Sequence, residues 1–436
     1  MKRRYFLLTF LIACNIQAET LDLDLNTARE IALEKNPTVK LAREAVLKSK
    51  TSIKEARSGF MPTLSGFSQF QHAWELPWIV INFNGTVQEF QMGSENTIVY
   101  GLELSQPIYT GGMIRNAYIM SKIGANITKS QLKATEQKVL GEVTDAYYGV
   151  LFASSASEVV EEGLHSAEQN LAQVQKFFDV GKASRFDVLR AEVQVANFKP
   201  MVVSANNAVR LAESGLRMIL GMGDDTDINY IEKLQYAESD LIKMSLDELI
   251  GISMQDRPEM AMLKGQMNLA KKEVSLSKAK YLPSLIVGTS YQYQGLRDDF
   301  KFANDDFHKS FNSSVSLSVP IFSGFGTSAK VQQAKIAVKE TGYQAESAIN
   351  GIKLEVKSAF FIAKEADENV ITQAKTISLA EEALRLAELM YSEGSSTQLD
   401  VLNANVALNQ AKMNYQESLY KYNVALANLK KAINQL

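Results

Sequence analysis

Few side chains that could perform catalysis or bind a metal have the spacing for it in this sequence of 436 residues. His72, His165 and His308 stand singly, whereas metal-binding histidines recur at short fixed intervals. The sequence contains neither a Gly-x-Ser-x-Gly nucleophile motif nor a phosphate-binding loop. The acidic cluster at residues 224–227 is typical of a solvated turn. We therefore predict no catalytic residue, no metal site and no cofactor.

Two aspartates with matching flanking sequences are the remaining candidates for a role that depends on charge. Gly181 precedes the triplet Asp187-Val188-Leu189, and in the second half of the chain Gly394 precedes the triplet Asp400-Val401-Leu402 with the same spacing. A carboxylate near the start of a helix accepts hydrogen bonds from free backbone N–H groups and faces the positive end of the helix dipole. The pattern therefore predicts two equivalent turns, each followed by a helix that an aspartate caps.

The composition excludes several classes of protein. Lysine and arginine number 46 against 49 aspartates and glutamates, without basic blocks, which argues against a nucleic-acid-binding protein. Cys14 is the single cysteine, so no disulfide framework can form within the chain. Because 46% of the residues are hydrophobic, the chain can bury a core.

The N-terminus has the pattern of a secretory leader. Three basic residues at positions 2–4 precede an apolar run, and cleavage after Ala18 would make residues 1–18 a signal peptide. Residues 11–14 also fit a bacterial lipobox, which would make Cys14 a lipidated first residue, and both alternatives stay open. No later stretch has the roughly 18 to 20 apolar residues of a spanning helix, so we expect any membrane crossing to use strands.

The spacing of the prolines shows that the chain contains an internal repeat. Most prolines pair between the two halves of the chain at a nearly constant separation: Pro37 with Pro258, Pro62 with Pro283, and Pro107 with Pro320. This periodicity predicts a first repeat at residues 19–225 and a second at 226–436. The segment between Pro62 and Pro107 is longer than its counterpart, and such length variation is typical of loops.

Each repeat contains long stretches with apolar residues at helical spacing. The first long stretch runs from Met113 to Phe178, and 66 residues of unbroken helix would extend roughly 99 Å. Its frequent charges and alanines indicate closely packed, coiled-coil-like helices in water. Pro200 should kink the shorter partner helix of the first repeat.

Four segments have the alternation of strands: residues 64–72, 97–106, 284–293 and 314–321. Ten residues suffice for a tilted strand to cross a bilayer, although the strands alone fit soluble hairpins equally well. The connectors at 72–96 and 294–312 are long, polar and rich in aromatic residues, which favours a membrane barrel. Because four strands cannot close a barrel, the barrel must be shared: two chains would give eight strands and three would give twelve.

Together these features resemble the TolC family of outer-membrane efflux proteins, over nearly all of residues 19–436. The motifs that carry the resemblance are Pro-x-x-x-Gly at Pro107 and Pro320, Ala56-Arg57 before Pro62, and the two helix-tip turns. The resemblance implies a mixed fold in which a homotrimer forms a twelve-stranded membrane β-barrel and an α-helical coiled-coil barrel, each repeat contributing strand, strand, long helix and helix.

The resemblance also implies a location and partners. The barrel would lie in the outer membrane, in contact with lipid, and the helices would form a tunnel of roughly 100 Å through the periplasm. A periplasmic adaptor, or membrane fusion protein, and an inner-membrane transporter would complete a tripartite efflux pump or a type I secretion system.

In this family the periplasmic end is closed by tied helices and acidic rings. The resemblance assigns an acidic ring to Asp400 and a tying pair to Asp187 and Tyr391. The second acidic position is Asn403 here, and the tying arginine is replaced by Ser396. We hypothesise that the missing positive charge comes from Lys182, Arg185 or Arg190. A threefold ring of Asp400 would favour cations.

The resemblance places contacts with the adaptor at the helix tips, on Gly181, Val188, Leu189, Gly394, Val401 and Leu402. The alternative for these residues is packing within each helical hairpin. The alternative for the whole chain is a soluble periplasmic coiled-coil adaptor or scaffold protein of an export system. That alternative explains the helices and the leader but not the four strands of bilayer length.

Overall fold

The structure is a computed structural model that describes residues 21–83, 85–223 and 228–436. The predicted signal peptide at residues 1–18, the lipidation candidate Cys14 and the acidic cluster at 224–227 lie outside the described residues.

Long helices dominate the chain. In chain order they are α1 Leu25–Lys35, α2 Pro37–Ser58, α3 Met113–Asp179, α4 Arg185–Leu220, α5 Asp240–Lys243, α6 Leu246–Asp256, α7 Pro258–Ala279, α8 Gly326–Ser392 and α9 Gln398–Ala432. The predicted long helix from Met113 is confirmed as α3, which has 67 residues, as does α8. Pro200 lies inside α4. In the described part of the chain, no helix is both long enough and apolar enough to cross a membrane.

The strands are β1 Leu21–Leu23, β2 Thr63–His72, β3 Trp78–Phe83, β4 Thr86–Gln91, β5 Asn96–Thr110, β6 Ile228–Tyr230, β7 Ser284–Arg297 and β8 Phe307–Ser318. The four predicted strands exist as β2, β5, β7 and β8. The predicted end of the last strand at residue 321 is wrong, because β8 stops two residues before Pro320, which has no N–H to donate to a ladder.

Both connectors differ from the predicted polar loops. The first contains a two-stranded hairpin, β3 with β4, because residues 78–83 are mostly β-branched and aromatic. The second is shortened to residues 298–306, since β7 and β8 continue pairing as far as Gly295 and Phe307. Phe307 and Phe311, predicted in a loop, are therefore strand residues.

The described chain packs as two compact units, and each takes segments from both halves of the sequence. The sheet unit comprises residues 44–131 and 261–348, and the helical unit comprises residues 21–43, 132–260 and 349–436. These units do not coincide with the sequence repeats 19–225 and 226–436, which stay a prediction.

The helical unit has a continuous apolar core around a small parallel pair of strands, β1 and β6. Tyr147 and Tyr422 are fully buried in it. Their hydroxyls donate to backbone carbonyls, Tyr147 to Leu23 at 3.2 Å and Tyr422 to Ala237 at 2.7 Å. These two buried phenols therefore have hydrogen-bond partners and add little penalty to the core.

The sheet unit is built on one antiparallel sheet with the strand order β2-β5-β7-β8. Successive strands pair in register over nearly their full length, with one irregularity between Pro107 and Tyr109. The hairpin β3–β4 forms a separate two-stranded sheet. In the described chain, β2 and β8 each pair with one strand only, so the sheet has two open edges.

Candidate functional site

The two helix-tip turns have the same backbone geometry. At the end of α3, Gly181 N–H donates to Phe178 O at 2.9 Å and Lys182 N–H donates to Phe177 O at 2.7 Å. At the end of α8, Gly394 and Ser395 make the equivalent bonds to Tyr391 and Met390. This is a Schellman turn, and the φ angles of 75° and 77° at Gly181 and Gly394 are those that favour glycine.

An aspartate caps the start of each helix that follows a tip turn, as the sequence predicts. The carboxylate of Asp187 accepts hydrogen bonds from the N–H of Ser184 at 3.0 Å and from its hydroxyl at 2.6 Å. The carboxylate of Asp400 accepts the same two bonds from Thr397, at 2.8 and 2.7 Å. Both aspartates therefore belong to the helix caps.

These hydrogen bonds change the acidity of both aspartates. Bonds from Ser184 lower the pKa of Asp187, and the nearby positive charge of Arg190 lowers it further. Bonds from Thr397 lower the pKa of Asp400. Both carboxylates are therefore charged at neutral pH, and each offers a negative charge at a helix tip.

Tyr391 and Asp187, the pair assigned by resemblance, lie close to each other. Burial and the negative charge of Asp187 together raise the pKa of the Tyr391 phenol. The ring of Tyr391 also packs against Phe177, with ring centroids 5.6 Å apart. The structure thus brings α3, α4 and the end of α8 together at this point, while the Asp187 carboxylate is occupied by Ser184.

Asp400 and Asn403 are both exposed and lie one helical turn apart on α9. Ser396, at the position of the tying arginine, has a buried hydroxyl oxygen with no hydrogen-bond partner among the described residues. The side chain of Gln398, for which the sequence predicted no role, is likewise buried without a hydrogen-bond partner among the described residues.

The three basic residues near Asp187 have different surroundings. Arg185 forms an ion pair with Glu192 at 3.6 Å. Arg190 lies over the ring of Phe186, 4.2 Å from its centroid, and is the one whose charge acts on Asp187. Lys182 is exposed. Of the three, Arg190 fits the hypothesis of a substitute positive charge best.

The side chains at the tips divide into buried and exposed groups. Val188 and Val401 are buried, so packing within the hairpins explains them. Leu189 is 43% exposed. Phe186 and Leu399, for which the sequence predicted no role, occupy equivalent positions in the two hairpins and are also exposed. Each follows the glycine of its own turn at the same spacing, and this is the signal that could have revealed them.

Hydrogen bonds and a close backbone approach hold α3 against its neighbours. Asn405 of α9 donates to Ser166 of α3, and Lys412 forms an ion pair with Glu162 at 2.7 Å. At Gly163 of α3 an added Cβ would lie 2.7 Å from the Phe198 ring of α4. These contacts fix the positions from which the tips extend.

A second candidate feature is the amphipathic sheet, whose register places alternate residues on opposite faces. One face is mostly apolar and includes Leu64, Phe70, Leu102, Leu104, Val287, Val315 and Leu317. The other is mostly polar and includes Ser65, Gln69, Glu103, Ser290, Gln292, Ser314 and Ser316. The apolar face is not covered within the described chain, and Val315 is 71% exposed.

Aromatic residues from both connectors meet at one end of this sheet. Phe300 lies 6.0 Å from the His72 ring, and Trp74 lies 4.6 Å from it, measured between ring centroids. His72 Nδ1 and the Oδ1 of the buried Asn96 are 2.8 Å apart, so this histidine has a hydrogen-bonding role in the sheet. Among the described residues, no three His, Cys, Asp or Glu side chains group closely enough to hold a metal ion.

Comparison with known proteins identifies relatives along most of the chain. Residues 28–222 and 249–435 match the family described as outer membrane efflux protein. The outer membrane protein TolC of Vibrio cholerae serotype O1 is 26% identical over 346 residues, covering 77% of this chain and 76% of TolC. The alkaline protease secretion protein AprF of Pseudomonas aeruginosa is 21% identical over 338 residues, covering 77% of this chain and 69% of AprF.

Solved structures share the fold. The CmeC outer membrane channel of Campylobacter jejuni superimposes with a TM-score of 0.77 at 17% identity, covering 94% of this chain and 85% of that channel. A similarity at this level of identity supports the fold and not the details of the helix tips.

Proposed function

The chain belongs to the outer membrane efflux protein family, and from that premise we propose that three copies form one continuous channel. The protein is an outer-membrane channel of an efflux or secretion system, with a large periplasmic helical part. In the proposed trimer, twelve strands form a β-barrel in the outer membrane and the long helices form a tunnel in the periplasm. A helix of 67 residues extends about 100 Å, which suits a passage through an aqueous compartment.

The observation that carries this proposal is the amphipathic sheet with two open edges. An apolar face in water is costly, and a sheet edge in lipid leaves backbone N–H and C=O groups without partners. Pairing β2 of one copy with β8 of the next would satisfy both edges. Closure would direct the apolar face to lipid and the polar face to the channel interior.

We place the gate at the helix tips, where Asp400 and the neighbouring Asn403 are exposed. Three Asp400 carboxylates around a narrow opening would attract cations and repel anions. Capping does not prevent this role, because the capped carboxylate keeps its negative charge. Tyr391 and Asp187 would link the neighbouring helices of the closed tip.

The partners follow from the same family. A periplasmic adaptor would contact the tips through the exposed Leu189 and the equivalent pair Phe186 and Leu399. An inner-membrane transporter would complete the system. The glycines of the turns would contribute backbone surface, whereas Val188 and Val401 would support the hairpins from inside.

Planar-bilayer conductance of the purified protein tests the proposal. We expect discrete current steps with a small resting conductance, cation selectivity and block by an added multivalent cation. Membrane fractionation provides a control, because a barrel resists extraction with salt and alkali. Release of the protein by salt, together with electrically silent bilayers, would contradict the channel and favour a soluble adaptor.

A further inference from the structure

Gln398, the first residue of α9, is a buried side-chain amide that forms no hydrogen bond within the described part of the chain. Its residue surface is only 2% exposed, and neither its Nε2 nor its Oε1 has a partner among the described residues. Two positions earlier, the buried hydroxyl oxygen of Ser396 also lacks a partner in the described chain. Buried side-chain amides are nearly always hydrogen-bonded in proteins, so this pair requires an explanation.

Apart from Ser396, the cap and the turn next to Gln398 form their expected hydrogen bonds. Thr397 and Asp400 bond to each other in the helix cap, and the turn at Gly394 has its backbone bonds. The equivalent residue of the first hairpin is Arg185, which extends outward to Glu192. The unpaired amide is therefore specific to the second hairpin.

Assembly cannot supply the missing bonds while this conformation persists. Both amide atoms have almost no accessible surface in a single chain, so a neighbouring chain or an adaptor cannot reach them. A movement of the side chain or of the hairpin is needed to expose them to water or to a new partner. An unpaired buried amide raises the free energy of the conformation that buries it, relative to any conformation that hydrates it.

We propose that Gln398 destabilises this tip conformation and thereby sets how easily the tip rearranges. The proposal rests on the proposed function of the tips as a gate, and it identifies a residue of this chain, Gln398, that favours opening of the gate. The position of the tying arginine holds Ser396, whose hydroxyl oxygen has no hydrogen-bond partner among the residues that the structure describes, so Ser396 makes no substitute tie with them.

Two substitutions at residue 398 should have opposite effects. Gln398→Leu keeps a similar volume and removes the unpaired polar atoms, so we expect the frequency of tip opening to fall by about tenfold per chain. Gln398→Glu buries a carboxylate at neutral pH, so we expect opening to increase and to return toward the wild-type level on acidification. Gln410→Leu is the matched control, because it makes the same chemical change on the exposed side of α9.

Hydrogen–deuterium exchange of residues 392–400 and resting conductance in bilayers measure opening independently. Slower exchange in Gln398→Leu and faster exchange in Gln398→Glu, with Gln410→Leu unchanged, would support the proposal. Equal exchange in all four proteins would overturn it. If exchange shifts as expected but no variant conducts, the channel function fails while the role of Gln398 in tip stability stands. If the wild type conducts and neither measurement changes with residue 398, the role of Gln398 fails alone.

Discussion

Replacing Arg257 should destabilise the helical unit more than replacing any exposed arginine. Arg257 lies between α6 and α7, and its side chain is only 9% exposed. Its guanidinium donates to Glu355 of α8 at 2.7 Å, to both carboxylate oxygens of Glu259 at 3.2 and 3.3 Å, and to the carbonyl of Ala432 at 3.3 Å. The variant Arg257→Met keeps an unbranched stem, replaces the guanidinium with an apolar end and removes all of these bonds.

The expected magnitude follows from burial. Removing one partner of a buried ion pair costs about 3–5 kcal/mol when the other charge stays buried. Glu259 and Glu355 are 36% and 46% exposed, so water solvates part of the remaining charge and the cost falls to about 2–3 kcal/mol. For a unit of this size, that change lowers Tm by about 5–10 °C.

Thermal unfolding followed by circular dichroism at the helix band measures this shift. The control is Arg385→Met, because Arg385 and Glu382 make an equally short ion pair of 2.7 Å while both side chains are more than half exposed. We expect no measurable change in Tm for the control, since water replaces an exposed pair at little cost. Equal shifts in the two variants would refute the argument that burial, and not distance, determines the strength of the pair.

The pH dependence gives a second check on Arg257. Burial raises the pKa of Glu259, but the hydrogen bonds and charge of Arg257 outweigh it, so the net pKa is lowered. A carboxylate with a lowered pKa stabilises the fold above its unfolded pKa and loses that contribution as the pH falls through its folded pKa. The difference in Tm between wild type and Arg257→Met should therefore narrow below about pH 4. A difference that stays constant to about pH 3 would contradict this assignment.

Three further substitutions test the gate, the sheet and the packing of α3 against α4. Asp400→Asn removes the charge while its amide oxygen can still accept from Thr397, so cation selectivity should fall with little change in Tm; unchanged selectivity would exclude the ring. Val315→Arg on the apolar face should reduce assembly in the membrane, at a cost of about 2–4 kcal/mol per chain, while Ser316→Arg on the polar face should be tolerated. Equal yields of the two variants in the membrane fraction would contradict the assignment of the faces. Gly163→Ala should lower Tm, because the added methyl group overpacks α3 against the Phe198 ring of α4 at a cost of about 1–3 kcal/mol. An unchanged melting curve would show that the contact between α3 and α4 can relax.

The sequence predicted the long helices and the turns well because their determinants are local. Helical spacing without proline fixes α3, and glycine followed by aspartate fixes each tip. The strands were predicted in place but not in length. Their ends depend on how far a neighbouring strand continues, as β7 and β8 do, and on a proline that ends the ladder near Ser318.

The least predictable features depend on contacts between distant segments. The hairpin β3–β4 lies in a connector whose length indicated only a loop. The bonds of Arg257 join segments that are far apart in the sequence, at Glu355 and Ala432. The burial of Gln398 cannot be read from a polar side chain at a helix start, where exposure is the usual outcome.

Comparison of the two hairpin tips distinguishes the residues that folding requires from those that can differ between the hairpins. Both hairpins keep the glycine turn and the capping aspartate, because those residues satisfy backbone groups that any returning helix leaves open. At the other tip positions the two hairpins differ in charge. Lys182, Arg185 and Arg190 of the first hairpin correspond to uncharged residues in the second, at positions 395, 398 and 403. The second hairpin therefore presents its capping aspartate without these positive charges, and in the proposed assembly salt should weaken the contacts of a partner with the two kinds of hairpin to different extents.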